Sequence, residues 1–423
     1  MTHPATKAVM AAFHAADAEA RFVGGCVRDA LLKQPAKDID IATPQSPQQV
    51  LDLLAAANIH AIPTGIKHGT VTAVVGTHHF EITTLRIDTQ NDGRRAKVVF
   101  TDDWTQDAAR RDFTINAMSC DEQGNVYDPF DGMEDLGKGW IRFVGEAEQR
   151  ITEDVLRLLR FFRFYAQYGR PPISTMALRA CRKLAPRLSE LSGERVRGEL
   201  LRILTAPNTA DTITLMRAEQ VLEHILPEAG DVGRLRMVAW LLERAVKIEH
   251  LEIDPVRRLA ALLKPGLGAA EVEQVARRLK FSNRERAHLV AMSAPPDGDA
   301  QTPSIHAGMS PPEVRRACAR LGSGIFIDRA LLTWAADLAL DSHLPDATTQ
   351  NWCQIIETAR DFSPPAFPLK GRDVLALGVP HGPLVGEHLE RVKRWWEEQD
   401  FQPDRAACLH HLNHRVRDRQ DAG

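Results

Sequence analysis

Residues 38–41 read Asp-Ile-Asp-Ile, and this alternation constrains the chain more than any other feature. In a strand, residues i and i+2 point to one face, with Cα atoms roughly 6.5–7 Å apart. The stretch RFVGGCVRDALLKQPAKDIDIAT (21–43) therefore reads as leading into the first strand of a first domain. Ile39 and Ile41 would turn to a core while Asp38 and Asp40 stand together on the other face. Two convergent carboxylates suit magnesium, a hard cation that takes one or two carboxylates plus substrate phosphates. An exposed Asp-Ile-Asp on an edge strand is the plainer alternative.

The residues just before the pair favour the metal reading. Gly24 and Gly25 let the backbone approach a ligand, and VRDALL then opens a helix whose free N–H groups favour anions. Arg28, in that first turn, offers a fork of donors to a phosphate. A phosphate cradle shortly ahead of a carboxylate pair describes a nucleoside triphosphate site with Mg2+. A third carboxylate is expected on a neighbouring strand between apolar residues, and Glu81 in HFEITTLR fits. It would equally serve as an ordinary exposed strand glutamate.

Strand-like runs continue as TVTAVVG (70–76), HFEITTLRI (79–87) and KVVFT (97–101), while SPQQVLDLLAAA (46–57) has helical spacing. Beyond Glu153 the segments EDVLRLLRFFRFYAQYG, RVRGELLRILT, VGRLRMVAWLLERAV and RALLTWAADLAL all read as helix. Two Pro/Gly-rich stretches, 294–312 and 361–373, are candidate linkers. A chain of 423 residues exceeds one core, so several domains are expected. The fold class is α+β: a head with a small mixed sheet at 1–145, then an all-α neck (146–205), body (206–360) and tail (361–423).

The net charge of −3 does not argue for nucleic acid, yet residues 151–204 carry eleven Lys/Arg against five Asp/Glu. A basic neck suits an RNA backbone, although a solvated helical face would give the same count. Six scattered cysteines without a CxxC pair argue against zinc and disulfides and for a reducing compartment. No secretory signal and no apolar run of membrane-spanning length is visible, so a cytoplasmic protein without a membrane partner is expected.

GGCVRD followed by DID, then RRDFTINAM (110–118), EDVLRLLRFFRF (153–164) and GERVRGEL (193–200) stand in this order. As a set they resemble the class II tRNA nucleotidyltransferase and poly(A) polymerase family, most of all its CCA-adding branch. The tail segment 371–401 resembles it more weakly. The resemblance implies a polymerase-β-like nucleotidyltransferase head followed by helical neck, body and tail. It implies template-independent addition of C, C and A to tRNA 3′ ends from CTP and ATP, with no stable protein partner. Asp38 and Asp40 would then hold Mg2+. Gly24, Gly25, Arg28 and Arg111 would meet the nucleotide's phosphates and sugar, with Asp112 and Asn116 shaping the site. Asp154 and Arg157 would read the incoming base, with Arg160 and Arg163 nearby. Glu194, Arg195 and Glu199 would serve either as an ion-pair brace of the neck or in catalysis.

Base reading also has a chemical basis. Cytosine and adenine share an exocyclic amine beside an unprotonated ring nitrogen, which an aspartate and an arginine match as acceptor and donor. Asp154 and Arg157, three apart, would be neighbours on one helix surface. Arg163, about half a turn further round, would reach phosphate or structure instead. A bacterial poly(A) polymerase with the same head is the nearest rival, and enzymes adding only CC or only A share the motifs. The region 64–75 (TGIKHGTVTAVV) lacks the strongly basic stretch typical of the poly(A) branch.

Overall fold

The computed structural model describes all residues except 37, 92–95, 246–250, 294–303, 344 and 421–423. It divides into two compact units, Met1–Pro227 and Glu228–Gly423. The first begins with α1 (Pro4–Ala15), β1 (Arg21–Val23), α2 (Gly25–Leu31), β2 (Asp40–Thr43) and α3 (Pro47–Ala56). It continues through β3 (His60–Gly65), β4 (Thr70–Val75), β5 (His78–Thr84), β6 (Arg86–Asn91), β7 (Ala96–Phe100) and α4 (Trp104–Ala109). After these come β8 (Ser119–Cys120), β9 (Val126–Tyr127) and α5 (Gly132–Lys138), and then α6 (Ala147–Glu153), α7 (Leu156–Tyr168), α8 (Thr175–Leu184), α9 (Gly193–Thr205) and α10 (Thr209–Ala218).

Among the described residues one seven-stranded sheet runs in the order β3-β4-β5-β2-β1-β8-β9, with β6 and β7 pairing separately. Every pair is antiparallel except β2 with β5. A parallel pair needs a crossover, and here α3, β3 and β4 supply it. Helix α3 starts cleanly because Ser46 and Gln49 form a capping box ahead of Pro47. Helices α1 and α3 pack on the sheet, and Ile41, Leu54, Val71 and Ile82 are fully buried there.

The aspartate pair sits differently from the sequence expectation. The strand holding it is the second, in the middle of the sheet, and it begins only at Asp40. Asp38 lies in a bend outside the ladder, because pairing with β5 starts at Asp40 opposite Glu81 and pairing with β1 starts at Ile41. Ile39, expected in the core, is only half-buried, whereas Ile41 is completely buried.

Helix α7 turns Leu158, Leu159, Phe161 and Phe162 inward. Its Phe161 and Phe164 join Phe113 and Phe143 in one aromatic cluster, with ring centroids 4.7 Å (Phe113–Phe143), 5.1 Å (Phe113–Phe164) and 5.7 Å (Phe143–Phe161) apart. Aromatic contacts of this kind bury large areas with defined geometry. They fasten α7 beside the turn Thr114–Asn116, and its arginines are left to face away from that core.

The second unit is helical: α11 (Gly233–Trp240), α12 (Pro255–Leu262), α13 (Ala269–Arg278), α14 (Asn283–Ser293), α15 (Pro311–Leu321), α16 (Ser323–Leu340) and α17 (Asp346–Asp361), then α18 (Gly371–Leu375), α19 (Pro383–Glu398) and α20 (Arg405–Gln420). Trp334 and Trp352 stack at 6.2 Å in its interior. A further core of Val374, Val392, Trp396, Cys408 and Leu412 joins the last helices. The candidate linker 361–373 is largely loop between α17 and α18. Residues 294–303 of the other candidate linker lie outside the described residues. Among the described residues no helix is long and apolar enough to cross a membrane.

Candidate active site

Parallel pairing of β2 with β5 sets Asp40 directly opposite Glu81, so the third carboxylate is where alternation placed it. Asp38 and Glu81 are exposed and Asp40 is half-buried. Burial pushes the Asp40 carboxyl above its usual range, helped by the charges of Glu81 and Asp38 and opposed by Arg111. Among the described residues, no hydrogen bond or ion pair engages these three carboxylates, and no three His, Cys, Asp or Glu side chains are grouped as a metal cage. Mutually repelling carboxylates short of a full cage are the donor set that magnesium accepts, because it keeps waters and substrate phosphates in its shell.

Asp40 opens into a cavity of about 660 Å³. Its lining includes Gly24, Gly25, Arg28, Arg111, Asp112, Asn116, Asp154, Arg157, Arg160 and Arg163; Asp38 and Glu81 stand outside it. Eight arginines and three aspartates line this space, which makes it strongly cationic. Gly24 has φ +72°, and a Cβ there would meet Arg111 Nη1 at 3.0 Å, so only glycine lets strand turn into helix at this spot. Helix α2 has only seven residues.

Those arginines are held in place. Arg28 Nη1 donates to Asn116 Oδ1 (2.6 Å), its Nε and Nη2 donate to Asp29 Oδ1 (2.9 and 2.7 Å), and its guanidinium lies 4.8 Å from the Tyr168 ring centre. Asn116 Nδ2 in turn donates to Asp112 Oδ1 (3.2 Å), and Arg160 Nε donates to Asp112 Oδ2 (2.6 Å). Burial alone would raise the Asp112 carboxyl, but the Arg160 charge and the Asn116 and Arg160 hydrogen bonds hold it below the usual range. Arg111 Nη2 donates to buried Asp107 (3.1 Å), which also receives Arg110 Nε (2.8 Å).

In the same lining the structure corrects the helical placement of Asp154 and Arg157. Asp154 lies between α6 and α7 in extended conformation (φ −149°, ψ 107°), so the two are not surface neighbours on one helix. A local cap and a distant contact meet on it: Leu156 N, at the start of α7, donates to Asp154 Oδ1 (3.1 Å), and Arg195 Nη2 donates to both carboxylate oxygens (2.9 Å each). Arg157 points instead to Glu153 Oε2 (2.5 Å) and to the carbonyl of Arg110 (3.0 Å). The half-turn argument for Arg163 falls with the continuous helix. Arg163 lines the same cavity, bonds Glu199 (3.2 Å) and lies 4.3 Å from the Phe164 ring centre. Burial chiefly pulls its guanidinium down to about 10.

Of the ambiguous trio, Arg195 pairs with Asp154 and Glu199 with Arg163, one turn apart on α9. Sequence reasoning passed over Arg86, Arg110 and Phe164 as cavity residues and left Arg195 undecided. The Arg110–Arg111 doublet was a usable signal; Arg86 offered none, since only tertiary folding brings it there.

Residues 20–142 match the family profile described as "Poly A polymerase head domain", and residues 172–231 match "Probable RNA and SrmB- binding site of polymerase A". The chain is 33% identical over 408 residues to "CCA tRNA nucleotidyltransferase 1, mitochondrial" of Danio rerio, covering 93% of this chain and 87% of that protein. It is 37% identical over 290 residues to the "CCA-adding enzyme" of Geobacillus thermodenitrificans (strain NG80-2), covering 67% of this chain and 69% of that one. The crystal structure of Bacillus stearothermophilus CCA-adding enzyme in complex with CTP aligns at TM-score 0.76 and 26% identity over 100% of both chains. This chain belongs to the CCA tRNA nucleotidyltransferase family.

Proposed function

We propose that this protein adds C, C and A to tRNA 3′ ends from CTP and ATP without a nucleic-acid template, releasing pyrophosphate. The observation carrying this reading is one cavity whose lining brings Asp40 together with Asp154 and Arg157, among eight arginines. A triphosphate needs the arginines, and a base needs paired acceptor and donor groups.

In this reading Gly24, Gly25, Arg28 and Arg111 bind the triphosphate and sugar. Asp112 and Asn116 fix Arg160 and Arg28 in position. Asp154 accepts from the amine of C or A, and Arg157 donates to the adjoining ring nitrogen. Uracil and guanine present a carbonyl and an N–H there, so both contacts would fail. Arg160 and Arg163 neutralise charge beside them. The RNA 3′-oxygen attacks the α-phosphorus, an O–P bond forms, and the bond to pyrophosphate breaks. The protein contributes alignment and charge neutralisation. Asp38 and Asp40, with Glu81 beside them, would hold Mg2+, which supplies positive charge to activate the hydroxyl and steady the leaving oxygens.

We assign the head to 1–145, the neck to 146–205, the body to 206–360 and the tail to 361–423. Six free cysteines support a reducing, cytoplasmic setting. The test is incubation with tRNA transcripts ending before CCA, after C or after CC, with CTP and ATP supplied singly and together. A ladder stopping at CCA is expected. Long A tails on unrelated RNA, or arrest at CC, would overturn the reading.

A further inference from the structure

Arg28 turns three of its nitrogens to partners inside the protein: Nη1 to Asn116 Oδ1, and Nε and Nη2 to one oxygen, Asp29 Oδ1. A guanidinium carries five N–H donors, so the group keeps some to offer the cavity. Hydrogen bonds of this kind lie in the guanidinium plane and stop it from sliding. They yield more readily to tilting, because they weaken steeply only at large angles. Tilt is resisted from the face instead. The guanidinium carbon stands over two rings of α7, 4.8 Å from the centre of Tyr168 and 5.4 Å from that of Phe164. These rings stack, with centroids 6.3 Å apart and planes 20° from parallel, and together make one platform. Phe164 is shared with Arg160 (5.4 Å) and Arg163 (4.3 Å), so Tyr168 is the ring through which Arg28 can be reached separately.

We propose that Tyr168 is a positioning residue for nucleotide binding: its π-face keeps the Arg28 guanidinium aimed into the active-site cavity, where it meets the triphosphate. Tyr168 itself lines a second cavity, of about 670 Å³, beside Tyr165, Asn208 and Asp211, so it acts on the nucleotide through Arg28. Its hydroxyl donates to the same Asp29 Oδ1 at 3.3 Å, longer than an ordinary O–H···O bond, so the ring carries more of the hold than the hydroxyl. Burial pushes the phenol above its usual pKa, against the pull of the Arg28 charge, so the hydroxyl stays a donor. The helix that carries Arg157 and Arg160 thereby also sets an arginine of α2. The proposal rests on the triphosphate-binding role given to Arg28 above.

The experiment measures kcat and KM for CTP on a tRNA transcript lacking its 3′ end, using the full chain with Tyr168→Met, Tyr168→Phe, Arg28→Met and the Tyr168→Met, Arg28→Met pair. Tyr168→Met is expected to raise KM about five- to tenfold while kcat falls less than about twofold. Tyr168→Phe, which keeps the ring, is expected to stay within about twofold of wild type. In the Arg28→Met background Tyr168→Met should raise KM no further, because the group it positions is gone. If Arg28→Met raises KM but Tyr168→Met does not, or if the two effects add in full, Tyr168 is packing only and this proposal falls alone. If Arg28→Met leaves KM unchanged, the triphosphate role of Arg28 falls and takes the proposal with it. Should Tyr168→Met not fold, Tyr168→Phe bearing ring fluorines replaces it, since fluorine drains the π-face and keeps the shape. A KM that climbs with fluorination would then support the proposal, and a KM indifferent to it would overturn it.

Discussion

Replacing Asp112 by asparagine isolates the charge at the centre of the cavity's polar network. Asp112 is 8% exposed and accepts from Phe113 N (2.9 Å), Asn116 Nδ2 (3.2 Å) and Arg160 Nε (2.6 Å). Asparagine keeps the shape and one acceptor oxygen but leaves the Arg160 cation without its partner. Breaking a buried ion pair costs about 3–5 kcal/mol. The Arg160 side chain is 31% exposed and can recover some hydration, so we expect a loss of about 2–3 kcal/mol. For a unit of 227 residues, at about 2–4 °C per kcal/mol, calorimetry should show its transition lowered by about 4–12 °C. The pH dependence follows from the depressed carboxyl. A folded-state value below the unfolded one contributes stability that is complete above about pH 5 and lost as pH falls through the folded value. The gap between wild type and Asp112→Asn should therefore stay constant from pH 5 to 8 and close only under stronger acid. A deficit below about 1 kcal/mol, or one that grows as pH falls toward 4, would refute the reasoning.

Either Asp38→Ala or Asp40→Ala should abolish nucleotide incorporation while tRNA retention on a filter stays close to wild type; near-normal turnover in either variant would contradict the metal-holding role. Chelation of divalent cations should stop incorporation, and added Mg2+ should restore it, as read by gel extension of a tRNA transcript. Gly24→Ala should cost about 1–3 kcal/mol, because φ +72° with ψ −125° is glycine territory. It should also raise the KM for CTP by displacing Arg111, 3.0 Å from the new Cβ. An unchanged melting point and KM would show that the backbone there relaxes freely.

Much of the head was legible because its signals are local. Alternation around Asp40 and Glu81 gave two strands, and the register then set them opposite each other. The strand edge at Asp40 was not legible, since it depends on where β1 and β5 begin to pair. Nor was the interruption at Asp154. The run EDVLRLLRFFR carries unbroken helical spacing, yet Asp154 stands in extended chain, where its carboxylate caps Leu156 N and meets Arg195 from α9. The same holds for Arg86 and Arg110, whose places in the cavity are settled by tertiary folding alone. Arginine motifs announced a polyanion site; the order in which its members clasp one another was invisible in one dimension.

The parallel pairing of β2 with β5 ties folding to chemistry. Ile41 faces Ile82 in the same ladder that sets Asp40 against Glu81, and both isoleucines are sealed from water. Sliding one strand by a single residue would drive an acid into oil and lift an aliphatic chain onto the carboxylate face. Misregistered molecules would thus be unstable as well as inert, so quality control of the enzyme's active centre is performed by its own hydrophobic interior.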